Sequence, residues 1–311
     1  MFTTIVKFMV GHLVFAMMLG LGLTAQAREL LDIKRRPALY LKALFVMWLA
    51  VPLLAIVTVT VLRLHTLPSE LILLMAVCPG APFIPSSTKR EGDAYSSVGL
   101  NLLLLTSLMA PFFIPPWLSV LSRAHPFTLA ISPAQVLMQT IPTVIGPLCA
   151  GLAIRHWLPR VADALARPVR CFFYAALGLV VVVALWRGAP VIVDVVPRVL
   201  VAIVIMVAGS TALGAWAGKP VPADRRTTGL AAALGNPGLA LSVLAVSYPD
   251  FKATAFMLGY VILRKLALLP FDAWFKHRAQ HDKTPERPST STPQRGHRPH
   301  SHGSTPSAVR H

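Results

Sequence analysis

Ala76-Val77-Cys78-Pro79-Gly80-Ala81-Pro82-Phe83-Ile84-Pro85-Ser86-Ser87 interrupts one long apolar run, and Ala233-Leu234-Gly235-Asn236-Pro237-Gly238-Leu239-Ala240 interrupts another. Proline removes a backbone donor and its ring clashes with the preceding turn. Glycine loosens the backbone further. In hydrocarbon, the N–H and C=O groups freed by such a break are costly unless protein or water satisfies them. Broken segments therefore belong in the protein interior or beside a wet cavity. One cluster alone reads equally well as a proline kink. Two clusters in matching positions point to a binding site.

The surrounding chain supplies the hydrocarbon setting. Of 311 residues, 55% are hydrophobic and 13% charged, against about 25% charged in a soluble domain. Mean hydropathy is +0.64. The apolar residues come in runs such as Leu71–Val77, Ala175–Leu185 and Val199–Val207, where a soluble core would give stripes. Runs near twenty residues flanked by charge read as membrane-spanning helices. The sequence predicts an all-α polytopic membrane protein with about nine spans: 3–24, 39–62, 69–88, 95–119, 133–154, 170–186, 189–217, 226–247 and 253–274.

The net charge of +17 does not indicate nucleic acid, because no face interleaves aromatic with basic residues. The cations instead alternate between loops. Loops 25–38, 89–94, 155–169 and 218–225 are rich in Arg and Lys, while the others hold single cations such as Arg63, Arg123, Arg187 and Lys252. The positive-inside rule then places the rich loops and the C-terminus in the cytoplasm and the N-terminus outside. A rival reading takes residues 1–27 as a signal peptide ending at Ala25-Gln26-Ala27. It would leave Arg28–Arg36 external, against the charge rule. Residues 1–275 are expected to form the transmembrane domain, with core and panel helices interleaved. Residues 276–311, rich in Pro, Ser, Thr, His and Arg, are expected to be a disordered basic tail. The tail holds six of the ten histidines without a scaffold for metal. Cys78, Cys149 and Cys171 show no metal spacing and read as packing residues. His12 reads as a packed histidine, and Thr227 and Thr228 as caps or lining at the start of the eighth span.

The third and eighth spans each precede one last span in their half. Pairing three with eight implies pairing one with six, two with seven and four with nine. Paired spans are five apart, so the halves are inverted, with span five left over. Inverted repeats with broken helices at the midplane are the architecture of many secondary transporters.

Three stretches, in this order, resemble the bile acid:sodium symporter family: Met17-Met18-Leu19-Gly20-Leu21-Gly22-Leu23-Thr24, Cys78-Pro79-Gly80 with Gly92 before a new helix, and Asn236-Pro237-Gly238-Leu239-Ala240. The likeness spans about residues 1–276 and implies ten helices, or nine where the first is absent, in a core and a panel. It implies transport of an organic anion driven by sodium, with ion ligands carried over to Ser97 and Asn101. The departures concern sodium. The family's glutamate ahead of the second break falls on Ala231, its glutamine on Gly235, and its Gly-Gly-x-Ala-Ser-Asn on Gly80–Pro85. These losses argue against sodium coupling of the ordinary kind, and no other cofactor or metal is expected.

Arg264 and Lys265 stand about twelve residues into the ninth span. A cation at a helix centre costs roughly 2.5–3.5 kcal/mol on insertion scales, so such a residue is a functional candidate by default. No acid stands at mid-depth in the other spans; Asp194 and Asp272 lie nearer the ends. The expected substrate site is therefore Pro79, Gly80, Ser86, Ser87, Asn236, Gly238, Arg264 and Lys265, binding a small organic anion while the domains rock around it. The bland alternative is that one cation snorkels to the interface. An enzyme is not expected: His-Glu-x-x-His, Gly-x-Ser-x-Gly and paired intramembrane acids are all missing from the sequence. An ion/proton exchanger of related architecture would want a carboxylate at the crossing, and a membrane sensor would want a soluble signalling domain. The setting fits a bacterial inner membrane.

Overall fold

The computed structural model describes residues 2–25, 27–80, 93–124, 134, 138, 141–193, 197–247 and 251–281, and every regular element among them is a helix. In chain order these are α1 (Phe2–Thr24), α2 (Ala27–Arg35), α3 (Pro37–Val61, with a π-helical turn at Val46–Ala50), α4 (Thr66–Ala76) and α5 (Asp93–Ala124). A π-helical turn at Ile141–Ile145 leads into α6 (Gly146–Trp157). Then follow α7 (Pro159–Val193), α8 (Pro197–Ala217), α9 (Pro222–Leu234), α10 (Pro237–Ser247) and α11 (Phe251–His281).

Among the described residues, four stretches are long and apolar enough to cross a membrane: Pro37–Val61, Ser97–Arg123, Pro197–Ala217 and Ala253–Phe275. His12–Thr24 and Thr66–Ala76 are shorter apolar helices. Large apolar side chains stay exposed along these elements, including Leu41, Phe45, Val57 and Val61 on α3 and Leu200, Val201, Val204 and Ile205 on α8. That outer surface suits lipid and not water.

Several expected loops are helical. Residues 155–169 break only at Leu158, and the helix resumes at Pro159, a residue type suited to the first turn because its missing donor is unpaired there anyway. The turn expected at 187–188 lies inside α7, which runs on to Val193; one glycine costs a helix only about 1 kcal/mol against alanine. Asp194 lies outside the described residues. Loop 25–38 is mostly the amphipathic helix α2, and α11 extends past the expected tail boundary to His281. The remainder of the tail, 282–311, lies outside the described residues.

α1 packs against α6, α7 and α10, with Val14 and Met18 wholly buried; His12, expected to be packed, is exposed. α8 and α9 make the closest pair. Gly214 and Gly229 let the backbones approach, and the Thr228 hydroxyl donates to the Gly214 carbonyl at 2.6 Å. Thr227 and Thr228 thus sit within α9 and do not cap it: the Thr227 hydroxyl donates one turn back at 3.0 Å, and the single Thr228 proton is shared between the Gly214 carbonyl and the Asp224 carbonyl at 2.7 Å. In α3, Pro52 cannot donate to the Trp48 carbonyl one turn earlier. The Trp117 indole N–H from α5 takes that place at 2.8 Å. Cys78 is buried, Cys149 and Cys171 are exposed, and all three are free thiols.

Candidate functional site

Both interrupted stretches are true breaks, and they meet. α4 ends at Ala76, and Gly80 takes φ +100°. α9 ends at Leu234, Gly235 takes φ +63°, and α10 begins at Pro237. The backbone N–H of Asn236 donates to the Cys78 carbonyl at 2.7 Å. Each break therefore supplies the partner that the other's interrupted ladder lacks, which is what burial in a membrane demands. A side chain on Gly235 would press on the Met75 and Cys78 carbonyls at 3.2 and 3.3 Å, and one on Gly80 would stand 2.5 Å from the Thr106 hydroxyl of α5. Glycine is required at both places for conformation and for space.

Asn236 is wholly buried. Its side-chain oxygen accepts from the Leu239 N–H at 3.2 Å, so it caps α10 with Pro237 at the first helical position. Among the described residues its amide nitrogen is buried without an acceptor, and the Ser107 hydroxyl, next in sequence to the Thr106 that abuts Gly80, is likewise unsatisfied. Met17 of α1 lies over the same helix start, its methyl carbon 3.2 Å from where a Gly238 side chain would begin. Pro79, Gly80, Asn236 and Gly238 are thus gathered at one crossing. Ser86 and Ser87 lie outside the described residues.

The two cations of α11 part company. Arg264 is 1% exposed and Lys265 is exposed. Arg264 reaches the Tyr260 hydroxyl at 3.4 Å, and its guanidinium lies 5.7 Å from that ring's centre. Its Nε has no acceptor among the described residues. The depth of Arg264 follows from an ion pair. Arg226 of α9 donates from Nε to Asp272 of α11 at 3.0 Å, and the two helices pack side by side. Eight residues inward from each partner, about 12 Å of helix rise, stand Leu234 on α9 and Arg264 on α11. Arg264 therefore sits near the level of the second break.

Ser97 and Asn101 lie one turn apart on α5, Ser97 half-buried and Asn101 wholly buried. Where the resemblance places an acid, Ala231 is buried on α9, so that position offers no carboxylate to sodium. Asn101 instead donates from its amide nitrogen to the Tyr40 hydroxyl at 3.0 Å. Tyr40 donates to Asp32 at 2.6 Å. Arg36 grips Asp32 at 2.6 Å and Asp224, at the start of α9, at 2.8 Å. Burial pushes the Asp32 carboxyl up, but the bonds from Arg36 and Tyr40 and the charges of Arg36 and Arg35 hold it below its ordinary value. The same partnership raises Arg36, chiefly through its hydrogen bond to Asp32. As a loop cation, Arg36 signals only membrane sidedness in the sequence; its partner Asp224 is 188 positions away.

Sequence reasoning also passes over Glu70, which is 1% exposed on α4. Its signal is an acid directly ahead of the apolar Leu71–Ala76 run.

Two broken segments joined in the interior of a helical membrane protein are an arrangement that many secondary transporters use. The pattern of the Sodium Bile acid symporter family matches residues 12–195. The chain belongs to that family and is a membrane transporter. No curated protein matches the chain.

Proposed function

We propose that the protein is a secondary transporter of a small organic anion, held at the crossing of the two breaks by the guanidinium of Arg264. The observation that carries this reading is the buried Arg264, whose Nε lacks an acceptor among the described residues, near the depth where Asn236 also holds an amide nitrogen without one. A buried cation is costly unless paired, and buried donors are normally satisfied. An anion's oxygens would satisfy both. The positive end of α10 adds to the field. Arg264 then supplies the charge that sodium supplies in relatives, and coupling does not require sodium. Alternating access would proceed by rocking of the helices around the crossing. On the charge rule the N-terminus faces outward and the C-terminus the cytoplasm, in a bacterial inner membrane.

The test is thermal stabilisation of the purified full-length protein against a panel of small carboxylic and sulfonic acids, in sodium chloride and in choline chloride. At least one acid should raise the melting temperature equally in both salts. Arg264→Gln should abolish that shift and the matching uptake into vesicles while expression persists. Lys265→Gln, on the exposed side, should change little. Full stabilisation of Arg264→Gln would remove the reading.

Glu70 gives an exchanger reading one observation, a buried carboxylate on the first crossing element. Under that reading, Glu70→Gln would abolish a pH-driven flux into vesicles and Arg264→Gln would not.

A further inference from the structure

We propose that Tyr40 is a positioning residue, which fixes the orientation of the Asn101 amide by relaying the charge of Asp32 from the ion-paired end of the bundle into the interior. The available protons set the direction of each bond. A tyrosine hydroxyl has a single proton, and an ionised carboxylate only accepts. The 2.6 Å bond to Asp32 uses that proton. The Tyr40 oxygen can then only accept from Asn101, 3.0 Å away. An asparagine side chain offers either its nitrogen or its oxygen to a neighbour, and the neighbour decides which. Here the nitrogen must face Tyr40, so the carbonyl oxygen faces the other way. Asn101 is held as an acceptor on that side and cannot swing to become a donor there.

The relay begins outside the interior. Arg36 bonds Asp32 through Nε and a terminal nitrogen, at 3.0 and 2.6 Å, and uses its other terminal nitrogen for Asp224. One guanidinium thus joins α2 to the first turn of α9, the helix that ends at the second break. Tyr40 is 2% exposed and Asn101 is 0% exposed, so the Tyr40–Asn101 contact is buried away from water. The relay links the helix start at Asp224 to a polar side chain on α5, five residues before the Thr106 that abuts Gly80. That Asn101 serves transport rests on the transporter reading above; the direction of the relay does not.

The test reverses the relay. Asn101→Asp at pH 8 sets a carboxylate against an oxygen with no proton left to give. The new acid must either ionise there or take up a proton to hold the bond, and both cost stability. We expect its melting temperature to fall by about 5 °C. Adding Asp32→Asn turns every bond around: the amide now at position 32 donates to the Tyr40 oxygen, and the Tyr40 hydroxyl donates to the carboxylate now at position 101. The double variant should regain at least half of the loss, although Asp32→Asn alone is destabilising. Packing alone gives no such recovery, since the carboxylate has only moved from one end of the relay to the other. Strictly additive losses would overturn the proposal. If the double variant does not yield folded protein, the Tyr40→Phe background decides. With the central oxygen gone, Asn101→Asp should cost less than in the native chain, and an equal or larger cost would overturn the relay. Cholate, added at the end of each melt series as a bile-acid probe, reads the transporter premise separately. A shift with native protein that Tyr40→Phe weakens supports the link of Asn101 to transport. A shift that Tyr40→Phe leaves unchanged overturns that link, and the absence of any acid-induced shift overturns the organic-anion reading without touching the melting cycle.

Discussion

The two breaks in the bundle solve one backbone problem by different means. The first, after α4, is fixed by close fit: Gly80 lies against Thr106, and the Cys78 carbonyl meets Asn236. The second has a glycine-packed hairpin behind it, with Asp224 and Arg226 tying α9 to α2 and α11. The first also lies inside the stretch that matches the family, residues 12–195, and the second lies beyond it. The contrast separates two requirements. A crossing needs its freed backbone groups paired, which glycine and close approach achieve. The charge buried near a crossing is a separate matter: Glu70 is buried on α4, while on the second half Ala231 stands where the resemblance places an acid and Arg264 is buried.

Substitutions at the glycines give the largest effect and test whether fit alone holds the first break. Gly80→Ala should cost about 3 kcal/mol, from the left-handed backbone and the clash with Thr106 together. Gly235→Ala should cost about half as much, since its contacts are looser. Equal losses in thermal melts would erase the distinction between the two breaks. Next comes Asp272→Asn, which leaves the largely buried Arg226 against a neutral partner. It should cost about 2 kcal/mol, and a neutral result would mean that α9 does not depend on its tether to α11. Asn236→Ala removes the cap of α10 and should cost about 1 kcal/mol. The smallest effect is a control far from both breaks: Asp163→Ala, whose carboxylate is 71% exposed in its pair with Arg155, should stay within about 0.5 kcal/mol.

The breaks are legible in the sequence because proline and glycine act locally: the clusters at 79–80 and 235–238 interrupt any helix they enter. Arg264 is legible as a charge in an apolar run. Which of Arg264 and Lys265 turns inward is not, because adjacent residues point about 100° apart around a helix and the rotation of α11 is set by its neighbours. The ion pairs are hidden for a related reason. Arg36 and Asp224 look like solvated loop charges, and Arg226 and Asp272 like charges at span ends, until tertiary packing brings them together. Helix ends differ from expectation where charge reads as loop: Arg160, Arg167 and Arg170 all lie on α7. Glu70 escapes notice because it stands near the start of its span, where acids usually meet water.

The Thr228 bond to the Gly214 carbonyl has a mechanical side. α9 is buried from Arg226 to Leu234, while α8, to which it is fastened, shows Leu200, Val204 and Trp216 to the surroundings. A tilt of α8, such as a change of bilayer thickness imposes, would be carried into α9 through this bond and the glycine contacts beside it, toward Asn236.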